Sequence, residues 1–257
     1  MKKNDREVRT LNHYQSNIPK MIHYCWFGHK NKPPLVEKCL NSWKYHLQDY
    51  QLIEWNETSI NINQNAYVKE AYESKKYAFV SDYVRVHALY HQGGIYLDTD
   101  VEVFKSFNDL LHHQSFWGFE QENFIATSTI GASPKNALIK MLLDSYKHKR
   151  FRREDGSLDS LTNVALITQI LVNLGLIKNG EYQELEDIGV FYPQTYFSPY
   201  DYINCRNFMT SETYAMHHFH KSWLSKKEHV KGSLKYSLSK MVGGDNIAKI
   251  RKLLQKH

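Results

Sequence analysis

The chain has 257 residues, 42% of them hydrophobic and 14% aromatic, enough for one sizeable core and a small appendage. A formal charge of +6 favours anionic partners, such as nucleotide phosphates, anionic lipid or nucleic acid. No window has the long uncharged apolar run of a membrane span. The start, MKKNDREVRTLNHYQSN, has no apolar signal-peptide core, so a cytoplasmic location is expected.

A polar lead-in over 1–17 precedes a Pro-started apolar run, IPKMIHYCWF at 18–27, which reads as the first core strand. After the loop GHKNKPP at 28–34, Val36, Leu40, Trp43 and Leu47 predict an amphipathic helix over 35–47. YQLIEW at 50–55 reads as a strand and the Asn-rich 56–65 as a loop. A helix is predicted from near Asn65 to Lys75, followed by a second one from Tyr77. That second helix is apolar around much of its circumference: Phe79, Tyr83, Val86 and Tyr90 form one line, Val80, Val84 and Ala88 another. Gly93-Gly94 ends it, because glycine takes the left-handed C-cap conformation cheaply. Ile95-Tyr96-Leu97 then reads as a core strand. Val101 to Phe104 continues extended, and 116–119 and 124–130 are further strand candidates. Ala132-Ser133-Pro134 reads as a helix start leading through Ile139 and Leu142 to Tyr146. The run KHKRFRRED at 147–155 reads as an exposed helix end and loop. A helix is predicted over 161–174, a strand over 188–192, and a strand over 213–216 running into HHFHKSW at 217–223. The alternation is of βαβ type and argues for a mainly parallel α/β sheet.

The chemistry gathers in the middle. Asp82 and Arg85 interrupt the apolar helix three residues apart, on one face, with Ser81 one turn before Arg85. Charged groups in such a helix need partners or ligands. Asp98 and Asp100 follow the short strand, at the end where open α/β sheets place their ligand sites. A turn there can aim both carboxylates at one point, where they need a cation or a proton. Oxygen ligands favour a hard ion, Mg²⁺ or Mn²⁺, which commonly bridges carboxylates to substrate phosphates. Cys25, Cys39 and Cys205 are scattered, fit a reducing compartment and form no CxxC zinc spacing.

The segment SDYVRVHALYHQGGIYLDTDV at 81–101 resembles the signature region of glycosyltransferase family 32, the DXD-containing sugar transferases. That family includes Och1-like mannosyltransferases and bacterial capsular polysaccharide enzymes. The segment is more distantly similar to the catalytic domain of clostridial glucosylating toxins. IPKMIHYCWFG at 18–28 and HHFHKSW at 217–223 match the family's first strand and C-terminal motif; His220 departs from the small residue usual there.

The resemblance implies a GT-A fold, a Rossmann-like mixed sheet flanked by helices, over 1–232, with a basic helical tail over 233–257. It implies transfer of a sugar from a nucleoside diphosphate sugar with retention at the anomeric carbon. Asp98 is expected to contact the donor's ribose or sugar and water near the metal, and Asp100 to ligate Mn²⁺ or Mg²⁺ directly. Asp82 is expected on the sugar hydroxyls and Arg85 on sugar or phosphates; a buried Asp82–Arg85 ion pair holding the helix is a second use, compatible with the first. Ser81 belongs to the same sugar-facing surface. A C-terminal histidine would complete the ion's shell, His217 or His218, with a lean to His217. Ser222 and Trp223 would close over the diphosphate. Trp26 would stack on the base or serve as a core tryptophan. No carboxylate nucleophile is evident, with Asp82 and Glu120 left as candidates for other roles.

The function expected is a metal-dependent retaining glycosyltransferase that moves a hexose or N-acetylhexosamine from a UDP-sugar to a saccharide or lipid-linked acceptor in bacterial surface polysaccharide synthesis. A GDP-mannose-dependent mannosyltransferase and a non-catalytic nucleotide-sugar-binding module are the alternatives. The basic tail is expected either as a solvated helix pair or as an amphipathic contact with anionic membrane. Nucleic-acid binding is disfavoured, because the positive charge carries no recognisable module.

Overall fold

The computed structural model describes residues 17–159 and 163–220. Ser222, Trp223 and the 233–257 tail lie outside the described residues. The first strand is β1 (Met21–Cys25), followed by α1 (Pro34–His46), β2 (Gln51–Trp55), α2 (Ala66–Glu73) and α3 (Tyr77–Gln92). Then come β3 (Gly94–Leu97), β4 (Val101–Val103), β5 (Ser115–Gly118), β6 (Thr129–Ala132), α4 (Ala137–Asp144) and α5 (Asn163–Asn173). The chain continues through β7 (Gln183–Leu185), β8 (Gly189–Tyr192), α6 (Gln194–Phe197), β9 (Tyr200–Asp201), β10 (Arg206–Asn207) and β11 (Ala215–His217).

Seven strands form one sheet in the order β2-β1-β3-β6-β5-β8-β7. β1 pairs in parallel with β2 and β3, and β5 with β8. β6 runs antiparallel between β3 and β5, and β7 antiparallel along β8. The α/β class and the mixed sheet flanked by helices agree with the GT-A type expectation. The mainly parallel pairing argued from βαβ alternation does not hold: half of the pairings are antiparallel. The reasons are β6, which crosses the centre of the sheet in the reverse direction, and β7, which runs back along β8 at its edge. β1, β2, β3, β5 and β8 still point one way, so their C-terminal ends share one edge.

Strand side chains alternate between two cores, as the two-residue period requires. Ile95, Leu97, Phe116 and Val190 face a cluster with Val36, Leu40 and Trp43 of α1. Tyr96, Trp117, Ile130 and Phe191 face the other cluster, built with α2, α3, α4 and α5. The result is a sheet with helices on both faces.

Local signals explain most element boundaries. The Asn65 side chain accepts from Val68 N–H and caps α2, and Asn136 does the same for α4 through Ile139 N–H. Gly93, at φ 68°, closes α3 with its N–H on Leu89 O. The helix expected to start at Ala132–Pro134 begins later. Ala132 is instead the last residue of β6, paired with Gly94, and its neighbour Gly131 lies under the Phe116 ring. The strand expected over 124–130 is mostly loop, since a 3-10 turn at Gln121–Asn123 leads into a single Phe119–Ile125 bridge. Among the described residues no helix is long and apolar enough to cross a membrane.

Candidate active site

The shared C-terminal edge of the parallel strands carries the site. β3 ends at Leu97, and the Asp98 N–H donates to Ser128 O, so the chain stays tied to the segment before β6. Val101 N–H donates back to Asp98 O, which closes a tight turn around Asp98-Thr99-Asp100. α1 holds the far side of that turn: the Trp43 indole donates to Val101 O at 2.8 Å, and Ser42 Oγ accepts from Val103 N–H.

β11 pairs antiparallel with β4, so His217 stands opposite Val101, one residue beyond Asp100. His218 N–H then donates to Asp100 O. This register lays the last described strand beside the DXD turn. Asp98, Asp100 and His217 each offer a ligand atom, and these atoms lie within 4.8 Å of one another. His217 Nε2 is 3.3 Å from Asp100 Oδ1. Its Nδ1 is buried with no partner among the described residues. Two carboxylates and an imidazole fit a divalent ion such as Mn²⁺ or Mg²⁺. His218 goes elsewhere: its Nε2 lies 2.9 Å from Glu102 Oε2, in a triad with Lys38. The geometry therefore sets the two histidines apart.

Arg85 projects from α3 into the same edge. Its Nη1 donates to Thr127 O at 2.7 Å, and its Nη2 lies 3.0 Å from Asp82 Oδ1 and 3.2 Å from Asp98 Oδ1. The guanidinium also lies 4.7 Å from the centre of the Tyr96 ring, whose hydroxyl donates to Asp98 Oδ1. The expected Asp82–Arg85 ion pair exists and extends to the DXD turn. Arg85 Nε, Ser128 Oγ and Thr129 Oγ1 are buried with no partner among the described residues, so donors and hydroxyls remain to spend beside Asp98.

The electrostatics follow from this crowding. Burial raises the Asp82 carboxyl to about 6, with Arg85 working against the shift and Asp98 adding to it. Burial opposes charge on Arg85, but Asp98, Tyr96 and Asp82 hold it charged well above the usual range. Asp100 sits well below the usual carboxylate range: burial opposes this, and the His217 ring and the His220 N–H outweigh it. His217 is raised, because Asp100, with Asp98 and Glu120, outweighs the penalty of its burial.

Ser81 and Trp26 make hydrogen bonds within the chain. The Ser81 hydroxyl donates to Tyr77 O within α3. Trp26 is partly buried against the α1-side core, its indole donating to Lys30 O and Lys32 lying 5.7 Å from its ring centre. Glu120, left as a candidate without a fixed role by the sequence, lies just beyond β5 and is partly buried, with its carboxyl raised by burial against the opposing effect of the His217 ring.

Residues 33–117 match the family model described as the glycosyltransferase sugar-binding region containing DXD motif. The chain is 25% identical over 175 residues to the subversion of eukaryotic traffic protein A of Legionella pneumophila, a match covering 54% of this chain and 27% of that protein. The chain thus spans about a quarter of that relative's length. A solved structure, the PaToxG glycosyltransferase, matches with a TM-score of 0.48 and 20% identity, covering 62% of this chain and 69% of that one. The family match falls on the segment that carries Asp82, Arg85, Asp98 and Asp100.

Proposed function

We propose that this chain is a metal-dependent glycosyltransferase that takes a sugar from a nucleoside diphosphate sugar. The observation that carries the reading is the convergence of Asp98, Asp100 and His217 beside the Arg85 guanidinium. Asp98, Asp100 and His217 would hold the divalent ion, which supplies a Lewis acid that neutralises charge on the diphosphate. Arg85 presents forked donors to phosphate or sugar oxygens, and its charge is secured by two carboxylates. Asp82 and Asp98 are acceptors for sugar or ribose hydroxyls. The buried surroundings strengthen each of these contacts, as preorganised dipoles in a low-dielectric cleft do.

The finer reading follows the family 32 likeness: a UDP-linked hexose or N-acetylhexosamine donor, retention at the anomeric carbon by a front-side route, and a surface saccharide acceptor. Ser222 and Trp223, by their motif, would close over the diphosphate, and the basic tail would touch an anionic membrane. The Legionella relative, named for subversion of eukaryotic traffic, favours a second acceptor class, a target in a eukaryotic cell. The test is a screen of UDP- and GDP-sugars for nucleoside diphosphate release and transfer with Mn²⁺. Activity abolished by EDTA and by Asp100→Ala is the expected result. Full activity without metal, or in Asp100→Ala, overturns the reading. Binding without turnover across donors and acceptors points instead to a sugar-binding module.

A further inference from the structure

Just past β11 the chain makes a turn that local preference opposes. Phe219 stands at φ 51°, in the left-handed region. A bulky residue rarely takes that conformation, and where it does the surrounding contacts must hold it there.

The turn acts on the DXD carboxylates through the backbone. β11 pairs with β4 as far as His217 and Val101, and His218 N–H donates to Asp100 O at 3.0 Å, one step further along the same ladder. A ladder continued in extended chain would carry His220 to the level of Asp98. The left-handed residue bends the chain back instead, and His220 N–H donates to Asp100 Oδ2 at 2.8 Å. Asp100 is therefore held twice, at its carbonyl and at its side chain, by N–H groups on either side of Phe219.

The turn also acts through the ring. Residues two apart in an extended strand stand about 7 Å apart. The ring centres of Phe219 and His217 are only 4.0 Å apart, with planes tilted by 35°. A histidine ligand is ordinarily oriented by a hydrogen bond from its second ring nitrogen. His217 Nδ1 is buried and has no partner among the described residues, so packing against Phe219 takes over that task.

Phe219 is backed in turn by Tyr202, at 4.5 Å between ring centres. The loop that carries Tyr202 is fastened by the buried Asp201 carboxylate, which accepts from the N–H groups of Ile203 and Asn204 and from the side chains of Asn204 and Arg206. Gln121, just beyond β5, donates to the same carboxylate. The ring thus rests on a mount tied to the central sheet.

We infer that Phe219 is a positioning residue for the metal centre. Its left-handed backbone presents the His220 N–H to Asp100, and its ring fixes the plane in which His217 meets the ion. This rests on the reading of Asp98, Asp100 and His217 as ligands of a divalent ion. Ligands set in place before the ion arrives lose less freedom on binding it.

The test compares Phe219→Gly and Phe219→Tyr in the full chain. Glycine accepts the left-handed conformation and removes only the ring, whereas tyrosine keeps the ring. Mn²⁺ binding is titrated by calorimetry with UDP or GDP present, and thermal unfolding is followed without metal. Phe219→Gly is expected to unfold within a few degrees of wild type and to bind Mn²⁺ about tenfold or more weakly, the loss expected when a group supporting a metal ligand is removed. Phe219→Tyr is expected to bind Mn²⁺ as the wild type does. A Phe219→Gly affinity within about threefold of wild type overturns the inference, even if the variant unfolds earlier, because the ring would then serve stability alone. An equal loss in Phe219→Tyr overturns it too. Should Phe219→Gly not fold, Tyr202→Ala, which removes the ring behind Phe219, is expected to weaken Mn²⁺ binding, and an unchanged affinity there overturns the inference. A wild type that binds no Mn²⁺ with either nucleotide overturns the metal-site reading itself, and this inference with it.

Discussion

His217 Nε2 lies 3.3 Å from Asp100 Oδ1, joining the last strand of the described chain to the DXD turn. The contact depends on β11 pairing with β4, and the neighbouring His218 is turned by the same register onto Glu102. Replacing each histidine by alanine separates the two roles. His217→Ala is expected to weaken Mn²⁺ binding by at least about tenfold, the lower end of what even supporting residues around a metal cost. His218→Ala is expected to keep the wild-type affinity. Calorimetric titration of Mn²⁺ with bound UDP or GDP reads both, and equal losses would sink the assignment of His217.

Arg85 is the hub between α3 and the DXD turn, and only a planar fork can meet Thr127 O, Asp82 and Asp98 together. Arg85→Lys keeps the charge and loses the fork, so nucleoside diphosphate release is expected to fall sharply. Arg85→Ala leaves two carboxylates without their cation and is expected to cost about 3–5 kcal/mol, as broken buried ion pairs do. Urea unfolding monitored by circular dichroism checks the cost. A lysine variant with full activity would show that charge alone suffices.

Glu70, buried on α2, accepts from Arg150 and from the N–H groups of Phe151 and Arg152, so it fastens the 147–155 loop. The Arg150 hydrogen bond, against burial and with the two backbone N–H groups, lowers its pKa from the ordinary 4.5. A carboxyl lowered on folding stabilises the protein above its unfolded value and loses that effect as pH falls through its folded value. Glu70→Gln should therefore melt below the wild type by a constant margin above pH 5 or so, and the margin should close in acid. Glu70→Ala strands two backbone donors and is expected to cost about 2–4 kcal/mol. A margin that widens in acid would contradict the sign.

Gly94 begins β3 at φ 95°, and an added Cβ would meet Met21 O at 2.7 Å. Both the left-handed backbone and the close β1 approach demand glycine. Gly94→Ala is expected to cost about 1–3 kcal/mol from backbone strain alone, with the clash in addition. Because β3 leads directly into Asp98, Mn²⁺ affinity should fall along with the melting temperature. A variant as stable as wild type would show that β1 and β3 can separate without cost.

Much of the molecule was legible in the chain. The helix at Tyr77–Gln92, its Gly93 stop, the strand at Gly94–Leu97 and the acidic turn after it follow from local periodicity and glycine chemistry. The start of α4 was less so, because Ala132-Ser133-Pro134 reads locally as a helix start. Ala132 is in fact the last residue of β6, paired with Gly94. The β9–β10 hairpin had no signal beyond turn residues, since each strand is two residues long.

The sequence by itself determined the α/β class, the helix that carries Asp82 and Arg85, and the spacing of Asp98 and Asp100. These depend on contacts between residues close in the chain, where side-chain period and φ preference decide. Only the tertiary structure decided that β6 runs antiparallel through the sheet and that His217 rather than His218 faces the DXD turn. Those outcomes depend on which distant strands pair and in what register. A one-residue shift of β11 against β4 would exchange the two histidines, and no local pattern in HHFH distinguishes the two registers.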